Sequence, residues 1–368
     1  MVNHKRNNIV HSTNLMTPLL LLSACIGGGG GGNKASVSGT PASTSRTITF
    51  DGVAIIGSYS DDLSLRGTDE ADIILDNSGT NIIHAEGGND WVFATGQISG
   101  GEGNDAIFSE GQNDEVQGNE GHDIIVAQNN SQNIRLYGGG GNDYIQVSYD
   151  GEVVDYEQTS SERRAPINET FDLDELITTV EFSTPSNGKV YVDGGSGNDF
   201  LYVNSTPDSS EKNTVIGGSG NDHIIVTFDS RIITGQGDDN IFLFFGELTG
   251  GNYSNDLTLE IADFTKGSDK LVLIFHEDSH PEFETNEAAL RNLFLSGNMI
   301  DYHNDGTTND LRLEIALDNQ INDMRQNMTV ILENVGEQLT ISDLEIMTDT
   351  EFDTYQNNQM DTYLNALL

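Results

Sequence analysis

The sequence predicts an all-β protein in which short strands wind into a solenoid. From Gly67 to Phe242, glycine-rich loops that end in aspartate alternate with short runs of aliphatic residues. The 368 residues include 41 glycines, whereas Ala, Val, Ile, Leu, Met, Phe, Trp, Tyr and Cys together make up only 35%. Globular domains reach an apolar share of about 45–50% when glycine is counted. Glycine therefore replaces bulky side chains here, which indicates many tight turns around a thin core.

Acidic residues dominate the charge balance. The chain has 59 Asp and Glu against 16 Lys and Arg, a formal net charge of −43. Such a surface repels phosphate, so the charge excludes nucleic acid as a partner and favours cations. Cys25 is the only cysteine. Neither an intrachain disulfide nor a cysteine-based zinc cluster is therefore possible.

Residues 1–24 have the composition of an export signal, because two basic residues precede an apolar stretch that is too short to span a bilayer. The segment Leu22-Ser23-Ala24-Cys25 resembles the lipobox of bacterial lipoproteins. That resemblance implies lipidation of Cys25 and contact with a membrane only through the lipid anchor. An ordinary signal peptide with a chance match is the alternative. Residues 25–46, rich in Gly, Ser and Thr, predict a flexible tether, and residues 47–66 an N-terminal cap.

Each repeated loop has the parts of a cation site. Clear copies are EGGNDWVF (Glu86–Phe93), GGEGNDAIF (Gly100–Phe108), GGGGNDYI (Gly138–Ile145), GGSGNDFLY (Gly194–Tyr202) and GGSGNDHII (Gly217–Ile225). Glycine allows positive φ and exposes backbone carbonyls, aspartate supplies a hard anionic oxygen, and the alternating run fits a half-buried strand. Stacked turns of this kind suit calcium. The same turns in a solenoid without metal are the alternative.

These loops resemble the RTX, or hemolysin-type calcium-binding, nonapeptide GGxGxDxUx. The resemblance implies a right-handed parallel β-roll or β-solenoid with several bound Ca²⁺ ions. The spacing of the loops predicts about eight coils over residues 67–251 and an insertion at 148–187. The resemblance also implies a β-rich C-terminal capping region over 252–368. Metal ligands are implied at loop aspartates and glycines: Asp72, Asp90, Asp105, Asp114, Asp123, Asp143, Asp199, Asp222, Asp239, Gly100, Gly103, Gly138, Gly141, Gly194, Gly197, Gly217 and Gly220.

The spacing of the loops predicts which residues stack. From Asp72 to Asp239, without Asp114, the steps between loop-ending aspartates are 18, 15, 18, 20, 56, 23 and 17 residues. All but one lie near two nonapeptides, so we expect one aspartate per coil, on one edge. Two aliphatic columns should face each other as the core: Ile83, Ile98, Val116, Leu136, Val192, Val215 and Ile232 before the loops, and Ile74, Val92, Ile107, Ile125, Ile145, Leu201, Ile225 and Ile241 after them.

The two edges should differ in metal content. On the opposite edge only the loops that end at Asn81 and Asp114 resemble the motif, so calcium should be sparse there. Aspartates stacked about 4.8 Å apart repel by roughly 1 to 3.5 kcal/mol per pair. Calcium binding and folding should therefore be one event. The loop of Asp72 has Glu70 where glycine is usual, which predicts a cap.

The 56-residue step holds the acidic insertion 148–187, which we expect to project from the calcium-poor edge. It is either a binding or catalytic projection or a solvated loop. After the last coil, IADFTKGSDKLVLIF (Ile261–Phe275) resembles the strand pair that follows the repeats in many RTX proteins, including type I secreted ones. Strands at 311–316, 328–332 and 339–346, a helix at 286–295 and a tail at 361–368 complete a segment that would cap the solenoid.

One motif points to a different chemistry. His276-Glu277-Asp278-Ser279-His280 fits the H-E-x-x-H pattern of zinc proteases. Its context opposes that role, because it follows a predicted strand and Pro281 resists a continuing helix. His84, His122 and His223 should lie on the surface of separate coils.

The favoured interpretation is an exported, non-enzymatic calcium-binding β-roll that acts as a structural or interaction module. Its partner would be a surface or extracellular protein or a polysaccharide. A secreted hydrolase that carries RTX repeats is the alternative. The lipobox favours an outer-membrane lipoprotein and the C-terminal resemblance favours free secretion, so the sequence leaves both open.

Overall fold

The computed structural model describes residues 47–57, 64–109, 111–128, 132–149, 163–172, 186–206, 211–227, 229–245, 256–275, 300–304, 310–319, 324–335 and 339–366. The strands in this part of the chain are β1 (Thr47–Phe50), β2 (Val53–Ile56), β3 (Ser64–Thr68), β4 (Ile73–Gly87), β5 (Trp91–Glu102), β6 (Ala106–Ser109), β7 (Glu115–Glu120), β8 (Ile124–Gln128), β9 (Arg135–Gly140), β10 (Tyr144–Tyr149), β11 (Arg163–Pro166), β12 (Glu169–Asp172), β13 (Ser186–Asn187), β14 (Tyr191–Ser196), β15 (Phe200–Val203), β16 (Ser205–Thr206), β17 (Asn213–Ser219), β18 (His223–Val226), β19 (Ser230–Gln236), β20 (Asn240–Phe245), β21 (Asp256–Ile261), β22 (Lys270–Phe275), β23 (Ile300–Asn304), β24 (Leu311–Asn319), β25 (Met324–Leu332) and β26 (Leu344–Thr348). A 3-10 turn (Ile341–Asp343) precedes β26, and the helix α1 (Asp349–Ala366) follows it.

The strands form two parallel stacks that face each other, which confirms the predicted β-roll. One stack, the outgoing sheet, runs in the order β2, β4, β5, β6, β8, β10, β15, β18, β20, β22 and β26. The other, the return sheet, runs in the order β3, β4, β5, β7, β9, β14, β17, β19, β21 and β25. The long strands β4 and β5 contribute their first halves to the outgoing sheet and their second halves to the return sheet.

The inner core lies between the two sheets, where the aliphatic columns face each other. All seven residues expected before the loops are buried in one cluster with the residues that follow the aspartates. The prediction of Ile225 as a residue of the inner core is wrong. Leu201 pairs with Ile224, which lies in this cluster, whereas Ile225 pairs with Tyr202 on the other face of the sheet. Because side chains alternate along a strand, a shift of one residue moves the side chain to the opposite face.

A second apolar layer covers the outer face of the outgoing sheet. Trp91, Phe93 and Phe108 stack along neighbouring strands, with 4.5 Å between the ring centroids of Phe93 and Phe108. Further along, Tyr144 stacks on Phe200 with centroids 5.1 Å apart. The outgoing strands are thus buried on both faces, as parallel strands usually are. We call this cluster the outer aromatic layer.

The insertion is tied to the start of the roll. Strand β11 pairs antiparallel with β2, and β12 pairs antiparallel with β1. Phe50 and Ile167 are buried together in the outer aromatic layer, and the Phe50 ring lies edge-on to Trp91. This corrects the expectation of a separate projection, because part of the insertion completes the first coils. Within 148–187, residues 150–162 and 173–185 lie outside the described residues.

The C-terminal region extends both sheets. Strand β22 adds to β20 and β26 adds to β22, while β21 and β25 add to β19. The strands expected at 311–316 and 328–332 lie within β24 and β25, which form an antiparallel pair with each other. The segment expected as one strand at 339–346 contains the 3-10 turn before β26, and the helix expected at 286–295 lies outside the described residues.

The end of the chain differs most from expectation. Residues 349–366 form α1, where only a tail at 361–368 was expected. Phe352 is fully buried against Phe242 and Phe244, so the helix covers part of the outer aromatic layer. Among the described residues, no helix combines the length and apolarity needed to cross a membrane.

We predict that deleting residues 148–187 destabilises the calcium-loaded protein. The deletion removes β12, which pairs with β1, and β11, which pairs with one edge of β2 while β4 keeps the other, and it uncovers Phe50, whose burial contributes about 1.5–3 kcal/mol. Thermal unfolding and limited proteolysis near residues 47–57 measure the effect. Deleting only 173–185 keeps β11 and β12 and serves as the control. Equal stability of both deletions would contradict the pairing of the insertion with the N-terminal strands.

Candidate metal centre

The loop-ending aspartates form a continuous column along one edge of the roll. Each one directly precedes an outgoing strand, and each is at most 1% exposed. Their Oδ1 atoms accept the backbone N–H of the aspartate one coil earlier, with N to O distances of 2.7–2.9 Å from Asp72 to Asp239. Each aspartate directly precedes the first residue of its outgoing strand. The pairing of these strands therefore sets the register of the aspartates. We call this set the aspartate column.

The second carboxylate oxygen of each interior aspartate has no partner. In the part of the chain that the structure describes, the buried Oδ2 atoms without a hydrogen bond include those of Asp90, Asp105, Asp123, Asp143, Asp199, Asp222 and Asp239. Burying an anionic oxygen without a donor is costly, so each needs a proton or a cation. A row of such oxygens is the arrangement that calcium binding predicts.

Backbone carbonyls face the same positions. A methyl group built on Gly100 would overlap both Asp105 Oδ2 and the carbonyl oxygen of Gly118 in the next coil. The same overlap occurs at Gly118, Gly138, Gly194 and Gly217, always with the aspartate of the same loop and a carbonyl oxygen of the next coil. Glycine therefore leaves room where a carboxylate and a carbonyl oxygen meet. Calcium takes such hard oxygen ligands.

The later glycines of the loops allow the coils to approach closely. Gly103 and Gly141 have φ of 123° and 120°, in the region that favours glycine. A methyl group on Gly103 would overlap the carbonyl oxygen of Gly88, and one on Gly141 that of Gly121. Gly197 and Gly220 have the same relation to the coil before them. These glycines hold the backbone turns in contact and need not be ligands themselves.

A second ladder runs beside the aspartate column. The residue before each aspartate accepts the backbone N–H of its counterpart in the next coil, from Asn104 onto Asn89 through to Asp238 onto Asn221. His122 takes one place in this ladder, since its Nδ1 accepts the N–H of Asn142 at 2.6 Å. The ladder, which we call the asparagine ladder, fixes the loop backbone without metal.

Burial and mutual repulsion oppose ionisation of the column. Desolvation raises the pKa of Asp90 to about 9, those of Asp123, Asp143 and Asp199 to about 8, those of Asp105 and Asp239 to about 7 and that of Asp222 to about 6. Neighbouring carboxylates add to the shift for several of them; the charge of Asp105, for example, raises the pKa of Asp90 further. Fully ionised, the column needs added positive charge.

Two predicted metal ligands, Asp72 in the first loop and Asp114 on the opposite edge, differ from the interior aspartates in their hydrogen bonds. Both oxygens of Asp72 accept hydrogen bonds, from Val53 N and from the backbone N and Oγ1 of Thr68. On the opposite edge, Asp114 accepts from Gly96 N, Gly111 N and Ser109 Oγ. The protein itself satisfies both carboxylates. Metal ligation at Asp72 and Asp114 stays a prediction, with less support than for the interior aspartates.

Sequence reasoning missed the ninth member of the column. Asp269 is 1% exposed, and its Oδ1 accepts the N–H of Asp239 at 3.1 Å, in the same pattern as the repeats. The signal was present, since Gly267-Ser268-Asp269 precedes an apolar strand. The single glycine, instead of the repeat's glycine run, hid it.

The histidines divide into three cases. His84 is exposed, as expected, and His122 belongs to the asparagine ladder. His223 was expected at the surface, but its Nδ1 lies 2.7 Å from the hydroxyl oxygen of Tyr355 under α1. Burial lowers the pKa of His223 to about 4. The segment His276 to His280 and the proposed lipidation site Cys25 lie outside the described residues.

The side chains of His, Cys, Asp and Glu do not by themselves account for a metal site in the described ranges. No group of three or more His, Cys, Asp or Glu side chains within the described ranges is placed to hold a metal ion. That finding agrees with the column, in which one carboxylate per coil meets backbone carbonyls. It also means that calcium would depend on the loop backbone being folded.

Comparison with known proteins identifies the loops. The chain matches the RTX calcium-binding nonapeptide repeat, described as four copies, over residues 66–97, 95–125, 135–146, 186–208 and 209–225. These ranges contain the interior aspartates from Asp90 to Asp222. Asp239 and Asp269 lie beyond them. No curated protein matches the chain.

We predict that the metal-free protein gains β-structure on acidification. The folded-state pKa values of about 6 to 9 lie above the ordinary value of 3.8, so this contribution to stability is complete below about pH 4 and is lost as the pH rises through 6 to 9. Circular dichroism of calcium-depleted protein at pH 4.5 and pH 8 measures it. High salt, which screens surface repulsion, should leave the difference in place; no difference at either salt concentration would contradict the buried column.

We also predict opposite effects of Asp143→Asn in the presence and absence of calcium. The amide retains the acceptor for Asp123 N–H but removes a buried charge, so the metal-free roll should become more stable. Loss of a carboxylate ligand should raise the calcium midpoint on the order of tenfold. Asp238→Asn, which removes a charge from an exposed side chain beside the column, is the control and should change the midpoint little. Equal midpoints for the two variants would argue against Asp143 as a ligand.

Proposed function

Because the chain carries RTX calcium-binding nonapeptide repeats, we propose that it is an exported structural or interaction module that folds when calcium binds. The calcium-binding β-roll is the established part of this proposal. The row of buried Oδ2 atoms without hydrogen-bond partners along the aspartate column supports the coupling of folding to calcium binding. A roll with that row ionised and without cations would bury many uncompensated charges.

The proposed ligands are the Oδ2 atoms of the interior aspartates and the carbonyl oxygens that face them. In each coil these would be, for example, Asp105 with the carbonyl of Gly118 and Asp123 with the carbonyl of Gly138. Bound calcium supplies the positive charge that the carboxylates lack. The chain's own contribution is to hold these oxygens in register, through the Oδ1 bonds and the asparagine ladder.

Export follows from the requirement for calcium. Sites in extracellular modules bind calcium with dissociation constants of about 10⁻⁴ to 10⁻³ M, far weaker than cytosolic sites. A chain of this kind would stay unfolded where calcium is scarce and fold where it is abundant. RTX repeat proteins are typically secreted or extracellular, in agreement with that order of events. The signal-like residues 1–24 supply the export route in this proposal.

We assign the attachment to Cys25 and the tether 25–46. A lipid on Cys25 would place the roll at a membrane surface, with the tether as spacer and a protein or polysaccharide as the partner. The intact mass of the protein from its native membrane fraction tests the anchor. A soluble chain without acyl groups would favour the freely secreted form.

We predict that the protein without its signal segment is largely unfolded in chelator and gains β-structure cooperatively with calcium at about 10⁻⁴ to 10⁻³ M. Bound calcium removes the repulsion between the interior aspartates, so the small aliphatic core is then sufficient to stabilise the folded state. Circular dichroism follows the transition. Magnesium is the control and should not substitute, because it demands a tighter octahedral shell. Identical spectra with and without calcium would disprove coupled folding.

A further inference from the structure

A cavity of about 460 Å³ lies between α1 and the asparagine ladder. Asn142, Asn198 and Asn221 of the ladder line one wall, and Gln359 and Thr362 of α1 line the other. Pockets that bind small molecules have volumes of about 300–1,000 Å³. The cavity therefore has room for a small ligand, and its described lining residues include none of the interior aspartates.

The ladder wall presents hydrogen-bond donors. The Oδ1 atoms of Asn142 and Asn198 each accept a backbone N–H of the next coil at 2.7 Å, and Asn221 Oδ1 does so at 2.9 Å. Since the backbone engages the amide oxygen, each side chain has its NH₂ group, which only donates, left for a ligand. Successive coils repeat this group at the strand spacing of about 4.8 Å.

His122 extends the row of donors. Its Nδ1 accepts the backbone N–H of Asn142 at 2.6 Å, and its side chain lines the cavity. When Nδ1 of a neutral imidazole is an acceptor, the ring hydrogen is on Nε2. His122 therefore has an N–H donor in addition to its place in the ladder.

The helix wall is held in place by contacts with the ladder. Tyr363 Oη donates to the carbonyl oxygen of Asn198 at 3.0 Å, and Asn104 Nδ2 donates to the carbonyl oxygen of Ala366 at 2.5 Å. Thr362 Oγ1 donates to the carbonyl oxygen of Asn358 at 3.0 Å, so the lone pairs of its hydroxyl oxygen are left to accept. Acceptors on α1 thus lie across the cavity from the donors of the ladder.

The charge around the cavity disfavours an anionic ligand. None of its described lining residues is Lys or Arg. Burial raises the pKa of Tyr363, and the negative charges of Asp199 and Asp143 raise it further. The carboxylates of the aspartate column therefore act on this wall from behind. An anion would find donors here but no opposite charge.

We propose that this cavity binds an uncharged sugar unit of a polysaccharide. Sugar hydroxyl oxygens would accept from the NH₂ groups of Asn142, Asn198 and Asn221, and sugar hydroxyl hydrogens would be donated to Thr362 and Gln359. Hydroxyl groups suit both walls because they accept and donate. The inference names the partner class of the proposed function and rests on that function for the calcium-folded roll.

Titration calorimetry of the calcium-loaded protein without its signal segment tests the site. The probes are glucose, galactose, mannose and N-acetylglucosamine, with maltose, cellobiose and lactose. We expect at least one of them to bind. Asn198→Asp keeps the oxygen acceptor of the ladder but replaces the NH₂ donor, and it should weaken that binding about tenfold. Asn89→Asp, the same change in the ladder outside the cavity, is the matched control and should leave the affinity unchanged.

A second pair of variants decides the case if Asn198→Asp impairs calcium-induced folding. Gln359→Ala changes only the helix wall and should also weaken binding, whereas Asn357→Ala, at an exposed position of α1, should not. Unchanged affinity in both Asn198→Asp and Gln359→Ala would overturn the assignment of the site.

The ligand class has its own test. Sulfate and glucuronate are the anionic probes, and binding of either one in place of the neutral sugars would overturn the uncharged class. A wild type that folds with calcium, as circular dichroism reports, but binds none of the neutral sugars overturns the saccharide site and leaves the proposed function intact. A wild type that does not fold with calcium overturns the proposed function itself.

Discussion

The whole roll depends on how each interior aspartate of the column, from Asp90 to Asp239, divides its two oxygens. Oδ1 holds the backbone of the neighbouring coil at 2.7–2.9 Å, and Oδ2 has nothing to accept from. The first oxygen makes the register of the stack, and the second makes that register costly unless a cation is present. Gly100, Gly118, Gly138, Gly194 and Gly217 follow from the same constraint, because a methyl group at any of them would overlap the carboxylate and a carbonyl oxygen of the next coil.

The outgoing sheet has a second constraint, since it is apolar on both faces. Its inner face meets the return sheet, and its outer face carries rings such as Trp91, Phe108 and Phe200. Three segments distant in sequence cover parts of that face: the N-terminal strands, the insertion and α1. Long-range contacts therefore stabilise what the repeats alone leave exposed, and they make the solenoid less like a sum of independent coils.

The sequence predicted whatever repeats and missed whatever occurs once. The period of the repeat and its residue types predicted the aspartate column and the inner aliphatic columns, because the same positions recur in every coil. Ile225 was predicted to face the inner core, where Ile224 lies instead, because two adjacent isoleucines do not indicate which of them faces inward. The pairing of β11 with β2, the docking of α1 and the place of Asp269 depend on single, non-local contacts. A pattern within one segment carries no information on such partners.

The opposite edge shows how a loop aspartate is satisfied by the protein itself. Asp114 lies in a motif-like loop, yet Ser109 Oγ, Gly96 N and Gly111 N supply donors to both its oxygens. Interior loops of the aspartate column offer one backbone N–H to each carboxylate and direct carbonyl oxygens at the other oxygen. The same residue type therefore has donors for both oxygens on one edge and for only one oxygen in the interior of the aspartate column. What decides between them is the supply of donors, so a loop of this fold loses its need for calcium when serine or backbone N–H groups replace the facing carbonyls.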